Sequence, residues 1–298
     1  MKDIRDKLII RHEDVVALNF IRDSGKYVFR RHHLNGLRSH IMEMLAWEDV
    51  KKENQGVYVN GIRQFPISKP IRMLRIFRKR FPDVEEILDE IKRFQIVGKY
   101  LTGNHLAMSE EFIVDYVVEK KHDILLCGLQ EYVEGECLDP WKSGTINCIE
   151  NIVQKLEQKA GSADPSYKHK LIRHIKKNID SFVEAVKRMI REVNYIPDLA
   201  GNRNILITPD GCVKLVDINN ISCVSSDGCI LVDDFGYPVC DKSIEALLLI
   251  ERNLLKRGTT ESDPFYRLYL QPERLRDVEK LAHRFYQCML KFSGTKNV

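Results

Sequence analysis

The stretch "NYIPDLAGNRNILITPDGCVKLVDINN", residues 194–220, decides how this chain is read. Within it "NILI" and "CVKLV" flank Thr208-Pro209-Asp210-Gly211, where proline presets the turn angle and glycine tolerates the exit geometry. That pattern predicts a β-hairpin. Asn204 then stands just before the first strand and Asp217 just after the second, so the reversal brings both to one end, with Asp198 on the loop leading in. Two oxygen ligands so placed suit a hard cation that keeps waters and meets phosphates, and phosphoryl transfer adds a carboxylate to orient the attacking hydroxyl. The plainer reading is a capped turn and two polar hairpin ends, a common use of Asp and Asn.

Before the hairpin, Ile172, Ile175, Ile179, Phe182, Val183, Val186, Met189, Ile190 and Val193 recur at helical spacing, after a loop at "KAGSADPSY". They predict a long amphipathic helix stopping near Pro197. Further upstream, "EFIVDYVVE" and "DILLCGLQEYV", separated by "KKHD", read as an antiparallel strand pair. Asp83 can cap a helix with Glu86 three residues on, and Val84, Ile87, Leu88 and Ile91 give that helix an apolar stripe. "GVYVNG" and "PIRMLRIF" read as strands joined by a turn-rich piece with two prolines. Residues 1–55 suggest a strand at "KYVFRR" and a helix around "RSHIMEMLAWEDV".

At 298 residues, 44% apolar and 30% charged, the chain has the composition of a soluble globular protein able to bury a large core. Its apolar runs are core-sized rather than bilayer-spanning, and its start lacks the apolar centre of a secretion signal. A cytoplasmic protein without membrane insertion is expected. The eight cysteines all lie at or after Cys127 and form no C-x-x-C pair, which fits buried reduced thiols better than a zinc or redox motif. Net charge is +7 over residues 1–100 and −3 over the rest. The basic run "RMLRIFRKRF" (Arg72–Phe81) alternates as a two-sided strand, so nucleic-acid binding through it is an inferior reading.

With these pieces in order, the chain resembles the protein-kinase-like superfamily, which includes protein kinases and small-molecule kinases such as the aminoglycoside phosphotransferases. "PDLAGNRNIL" is similar to the catalytic-loop pattern D-L-x-x-x-N, "KLVD" to the strand ending in the metal-binding aspartate of D-F-G, and "LQEYVEGE" to the hinge. The resemblance implies an α+β, two-lobed protein-kinase-like fold. Its N-lobe would be a small antiparallel sheet plus one helix over residues 56–130, its C-lobe mainly helical over 131–298, both preceded by an extension at 1–55. It implies Asp198 as catalytic base, Asn204 and Asp217 as metal ligands, Gln130 as gatekeeper, and the Glu131 carbonyl and Val133 amide facing adenine. Arg75 would replace the N-lobe lysine, with Glu90 as its partner.

ATP and Mg are then the expected cofactors, and a protein or small-molecule hydroxyl the acceptor. The alternative is a catalytically inactive pseudokinase acting as a nucleotide-binding or scaffold module. Departures from the family pattern are plain. Ile196-Pro197 precede the aspartate, Asn204 follows it by six residues instead of five, Asp217 is followed by Ile-Asn, and no Gly-rich loop is visible beyond Gly56-Val57-Tyr58. The literal D-F-G at Asp234–Gly236 lacks an upstream base, since Leu215 and Lys214 stand five and six residues before Asn220, and it is read as a loop.

Overall fold

The computed structural model describes residues 3–33, 36–103, 105–160, 165–225, 228–258 and 263–294. The protein is α+β, with small antiparallel sheets and, among the described residues, seven α-helices. None of these helices is long and apolar enough to cross a membrane. The chain divides into two compact units, Met1–Arg93 with Ala107–Tyr132, and Phe94–Leu106 with Val133–Val298.

The first unit contains α1 (His12–Val16), β1 (Tyr27–Arg31), β2 (Ser39–Ala46), α2 (Trp47–Gln55), β3 (Val57–Val59), β4 (Ile62–Gln64), β5 (Arg72–Phe77), the first part of α3 (Val84–Tyr100), β6 (Ser109–Val118) and β7 (Lys121–Glu131). Its five-stranded antiparallel sheet has the order β1-β2-β5-β7-β6. One sheet face supplies Phe29, Met42, Leu74, Ile76, Leu125 and Cys127, which pack with Ile4, Ile10, Val15 and Leu18 in one apolar cluster. Residues before the expected boundary at 55 are thus built into this core. Ile4 N also donates to the Tyr116 hydroxyl at 2.9 Å.

Three expectations change here. The helix expected over "RSHIMEMLAWEDV" begins only at Trp47, because Ser39–Ala46 pairs on both sides, with β1 and with β5. Two ladders and the complete burial of Met42 and Leu45 outweigh the helical propensity of Met, Glu, Leu and Ala. The turn-rich piece after "GVYVNG" holds a further strand: Asn60 (φ 50°) and Gly61 (φ 78°) form the two-residue turn joining β3 to β4. In α3, Asp83 Oδ1 accepts from Glu86 N at 2.9 Å as expected, but Glu86 Oε1 pairs with Lys79 at 3.1 Å. Val84 and Leu88 are exposed, and the buried stripe runs through Ile87, Phe94 and Val97. The β6–β7 pair forms as expected, joined by Glu119 and Lys120, both left-handed (φ 50° and 66°).

His40 is buried on β2 with Nε2 3.0 Å from Ile4 O. Burial, and then the charge of Arg78, lower its pKa from 6.5 to about 4. In the unfolded chain the ring takes up a proton near 6.5, so acid favours unfolding. Stability should be indifferent to His40 above that pH and fall as pH drops from 6.5 toward 4. Urea melts across this window should show a shallower slope for His40→Asn; a variant slope equal to that of the wild type would contradict the assignment.

The second unit takes in the rest of α3, β8 (Glu136–Cys137), α4 (Cys148–Ala160), α5 (Pro165–Val193), β9 (Tyr195–Pro197), β10 (Ile205–Ile207), β11 (Val213–Leu215), β12 (Ile221–Cys223), α6 (Val239–Asn253) and α7 (Pro272–Gly294). Positions 161–164 of the expected loop "KAGSADPSY" lie outside the described residues. The long helix is α5, with Ile175, Ile179, Phe182, Val183, Val186 and Met189 fully buried. It ends at Asn194, whose left-handed backbone (φ 56°) and N–H to Ile190 O at 3.0 Å close the last turn. α6 buries most of its surface, including Asp241 and Glu251. Asp241 is paired with Arg274 at 2.5 Å. Glu251 accepts from Lys187, Arg257 and the Tyr266 hydroxyl.

Candidate active site

The predicted hairpin forms within the second unit. Ile205 pairs with Leu215 and Ile207 with Val213. The turn closes through Gly211 N to Thr208 O at 2.8 Å and Cys212 N to Thr208 Oγ1 at 3.0 Å. Gly211 adopts φ +85°, and a Cβ there would lie 2.9 Å from Leu171 Cδ1, so both backbone and packing require glycine. Asn204 O accepts from Val216 N at 2.8 Å, which seats Asn204 beside the residue preceding Asp217.

The loop that carries Asp198 is held from several sides. β9 before it pairs with β12 beyond Asp217, and Asp198 N donates to Asn220 O at 2.9 Å. Asp198 Oδ1 accepts from Ala200 N (3.0 Å) and Gly201 N (2.9 Å), a local turn that fixes the carboxylate. Leu199 N donates to Ser243 Oγ on α6 at 3.1 Å, and the Trp141 indole donates to Ala200 O at 3.2 Å. Asn204, 6% exposed, donates Nδ2 to Asp198 O at 2.8 Å, which orients its amide and leaves Oδ1 as the acceptor. Asp217 Oδ1 accepts from Asn219 N at 3.0 Å.

Asp198 and Asn204 are therefore joined by a hydrogen bond, and the Asn204 main chain is bonded to Val216, the residue before Asp217. An amide oxygen and a carboxylate are hard donors of the kind that Mg takes. Burial, and then Tyr286, raise the Tyr237 phenol above its ordinary range, and the charges of Asp198 and Glu245 act in the same direction.

Gly201 is a feature the sequence reading missed. A Cβ at this position would stand 2.3 Å from Asn204 Nδ2 and 2.7 Å from Asn204 Cγ, so the glycine makes the space into which Asn204 turns. "AGNRN" shows a glycine in a loop, but only the packed structure shows what it faces. Gly201→Ala should displace Asn204 while leaving the fold intact, and the Mg-dependent part of any nucleotide-induced thermal shift should disappear. Retention of that part in the variant would separate Asn204 from metal binding.

The partners expected of Arg75 and Glu90 are corrected by the structure. Arg75, 1% exposed, donates through Nη2 to Ser109 Oγ (2.8 Å) and Glu111 Oε1 (2.6 Å). Glu90 is not its partner and lies 3.5 Å from Arg93. The register explains this: Gly128 on β7 stands across from Arg75 on one side and Glu111 on the other. A Cβ on Gly128 would come within 3.2 Å of Arg75 Nη2, so the missing side chain lets cation and acid meet across a strand. Gln130 is buried between Met73 and Ser109. Glu131 ends β7, its N donating to Met108 O at 2.8 Å, and Val133 is the first residue of the second unit after Tyr132.

The loop containing the literal D-F-G is a closed turn. Asp233 Oδ1 accepts from Phe235 N and Tyr237 N, both at 2.9 Å, and its Oδ2 accepts from Asn220 Nδ2 at 3.1 Å. No protein-family model matches the chain, and no curated protein matches it.

Proposed function

We propose that the chain is an ATP- and Mg-dependent phosphotransferase with a two-lobed, protein-kinase-like fold, moving the γ-phosphate of ATP to a hydroxyl of a protein or small molecule. One observation carries this reading: Asn204 bonds at once to Asp198 O (2.8 Å) and, through its own carbonyl, to Val216 beside Asp217. In this reading that loop and hairpin supply the base and the two hard oxygen ligands that phosphoryl transfer requires.

In this reading the Asp198 carboxylate orients the acceptor hydroxyl and takes its proton as the oxygen bonds to phosphorus and ADP departs. Its two backbone donors, Ala200 N and Gly201 N, hold it in one orientation without protonating it. Asn204 Oδ1 and the Asp217 carboxylate would hold Mg, which supplies neutralising charge to the phosphate oxygens. Adenine contacts are assigned to the Glu131 carbonyl and Val133 amide. A buried Arg75 already bonded to Glu111 does not fit a phosphate ligand, so no role in transfer is given to it or to Glu90.

That same commitment of Arg75 favours the second reading, a nucleotide-binding or scaffold module without transfer. Thermal shift with ATP, with and without Mg, tests binding first. A ligand at a hundred times its Kd stabilises by about 2.7 kcal/mol, so wild type should melt clearly higher with Mg-ATP and Asp217→Ala should not. Indifference of the wild type to ATP in the presence of Mg would sink the phosphotransferase and leave a scaffold without nucleotide, whereas binding without turnover would select the nucleotide-binding form of the second reading.

A further inference from the structure

The first unit carries a cluster of metal-ligating type that has no part in the proposed chemistry. His32 extends the β1–β2 ladder by one bond, its N donating to Ile41 O at 3.0 Å. On an antiparallel pair, residues two apart share a face. Arg30 stands directly across from Glu43, so His32 lies diagonally beside it on the same face. His32 Nδ1 is 2.8 Å from Glu43 Oε1, and both side chains are only 15% exposed. Arg30 is engaged by Glu53 at 2.8 Å. The exposed ring of His33 turns back toward His32, with centroids 4.2 Å apart and planes at 56°. One ligand atom from each of His32, His33 and Glu43 lies within 4.8 Å of the other two.

We propose that His32, His33 and Glu43 bind a divalent transition metal, zinc being the species that fits. Two imidazoles and one carboxylate form a borderline donor set suited to zinc and unlike the all-oxygen sets that hold Mg or Ca. Three protein ligands leave a fourth tetrahedral position for water. Tetrahedral zinc with bonds near 2.0–2.1 Å sets its donors about 3.3 Å apart. The His32–Glu43 pair is already that close, so the adjustment falls on the exposed His33 side chain. A hydrogen-bonded His–Glu pair with a neighbouring ring is the competing description, and it predicts no metal affinity. Bound metal would tie the end of β1 to β2 and so add its binding free energy to the folded state.

The test uses the full chain, stripped with chelator and titrated with zinc against a chromophoric competitor, with melting temperature recorded in parallel. Wild type should bind one equivalent with a rise in melting temperature, and His33→Ala and Glu43→Gln should each weaken that equivalent by about a hundredfold or more. Cobalt substitution should give the visible bands of a four-coordinate site without thiolate charge-transfer absorption, a needed distinction in a chain with free cysteines such as Cys223, Cys229 and Cys288. Circular dichroism without metal should be the same for all forms. Should His33→Ala misfold, Glu43→Gln, which keeps size and an acceptor, carries the comparison alone. Equal zinc affinity in wild type and variant, thiolate bands with cobalt, or no bound equivalent in the wild type would each overturn the proposal.

Discussion

On the proposed phosphotransfer, Asp198→Asn is expected to lower turnover by about a thousandfold, the scale of a lost general base, and to leave Mg-ATP binding in place. Asparagine keeps an oxygen for Ala200 N and Gly201 N, now 3.0 and 2.9 Å from Asp198 Oδ1, so the loop should hold its shape. What goes is the negative charge and the ability to take a proton from the acceptor. Asn204 still finds its partner, because its Nδ2 bonds to the main-chain oxygen of residue 198. Turnover measured alongside nucleotide-induced thermal shift reads the two consequences separately. Unchanged turnover would remove Asp198 from the chemistry, and loss of both signals would mean that the loop had collapsed.

Asp241→Ala is expected to give the largest loss of stability. Asp241 and Arg274 are 5% and 7% exposed and meet in a forked pair, Nε to Oδ1 at 2.5 Å and Nη2 to Oδ2 at 3.1 Å. Removing one member leaves a buried charge without its counter-ion, at about 3–5 kcal/mol. Because 1 kcal/mol shifts the melting temperature of a unit this size by about 2–4 °C, a fall near 10 °C should appear in calorimetry. Asp241→Leu combined with Arg274→Met should recover only part of the loss, since Arg274 also donates to Gly228 O (2.7 Å) and Cys229 O (3.1 Å). A variant melting within a degree or two of wild type would show that the pair is solvated in solution.

Where local chemistry decides the outcome, the sequence was legible. Thr-Pro-Asp-Gly between two apolar runs made the β10–β11 hairpin readable, and a 3.6-residue apolar period made α5 readable. The main-chain bond between Asn204 and Val216, at the open end of that hairpin, follows from the same pattern. What could not be read depends on register and close approach. Ser39–Ala46 has helix-forming composition and becomes a strand because partners exist on both sides. The family pattern gives Arg75 a helix partner in Glu90, whereas the missing Cβ of Gly128 opens a route to Glu111. Gly201 is similar: its role is a 2.3 Å approach that no spacing rule contains. The β6–β7 turn falls at Glu119-Lys120, at the start of "KKHD" and not across it; neither Glu119 nor Lys120 is a residue that advertises a left-handed bend.

That turn leaves room for improvement. Each of its two side-chain-bearing residues sits where an L-amino acid gives up about 1 kcal/mol, a penalty lighter for asparagine and absent for glycine. Glu119→Asn with Lys120→Gly would therefore toughen the chain at a hairpin tip remote in sequence from Asp198, Asn204 and Asp217. Such slack fits a protein selected to remain folded well enough and no further, and it offers a heat-resistant background in which the costlier substitutions above could be measured.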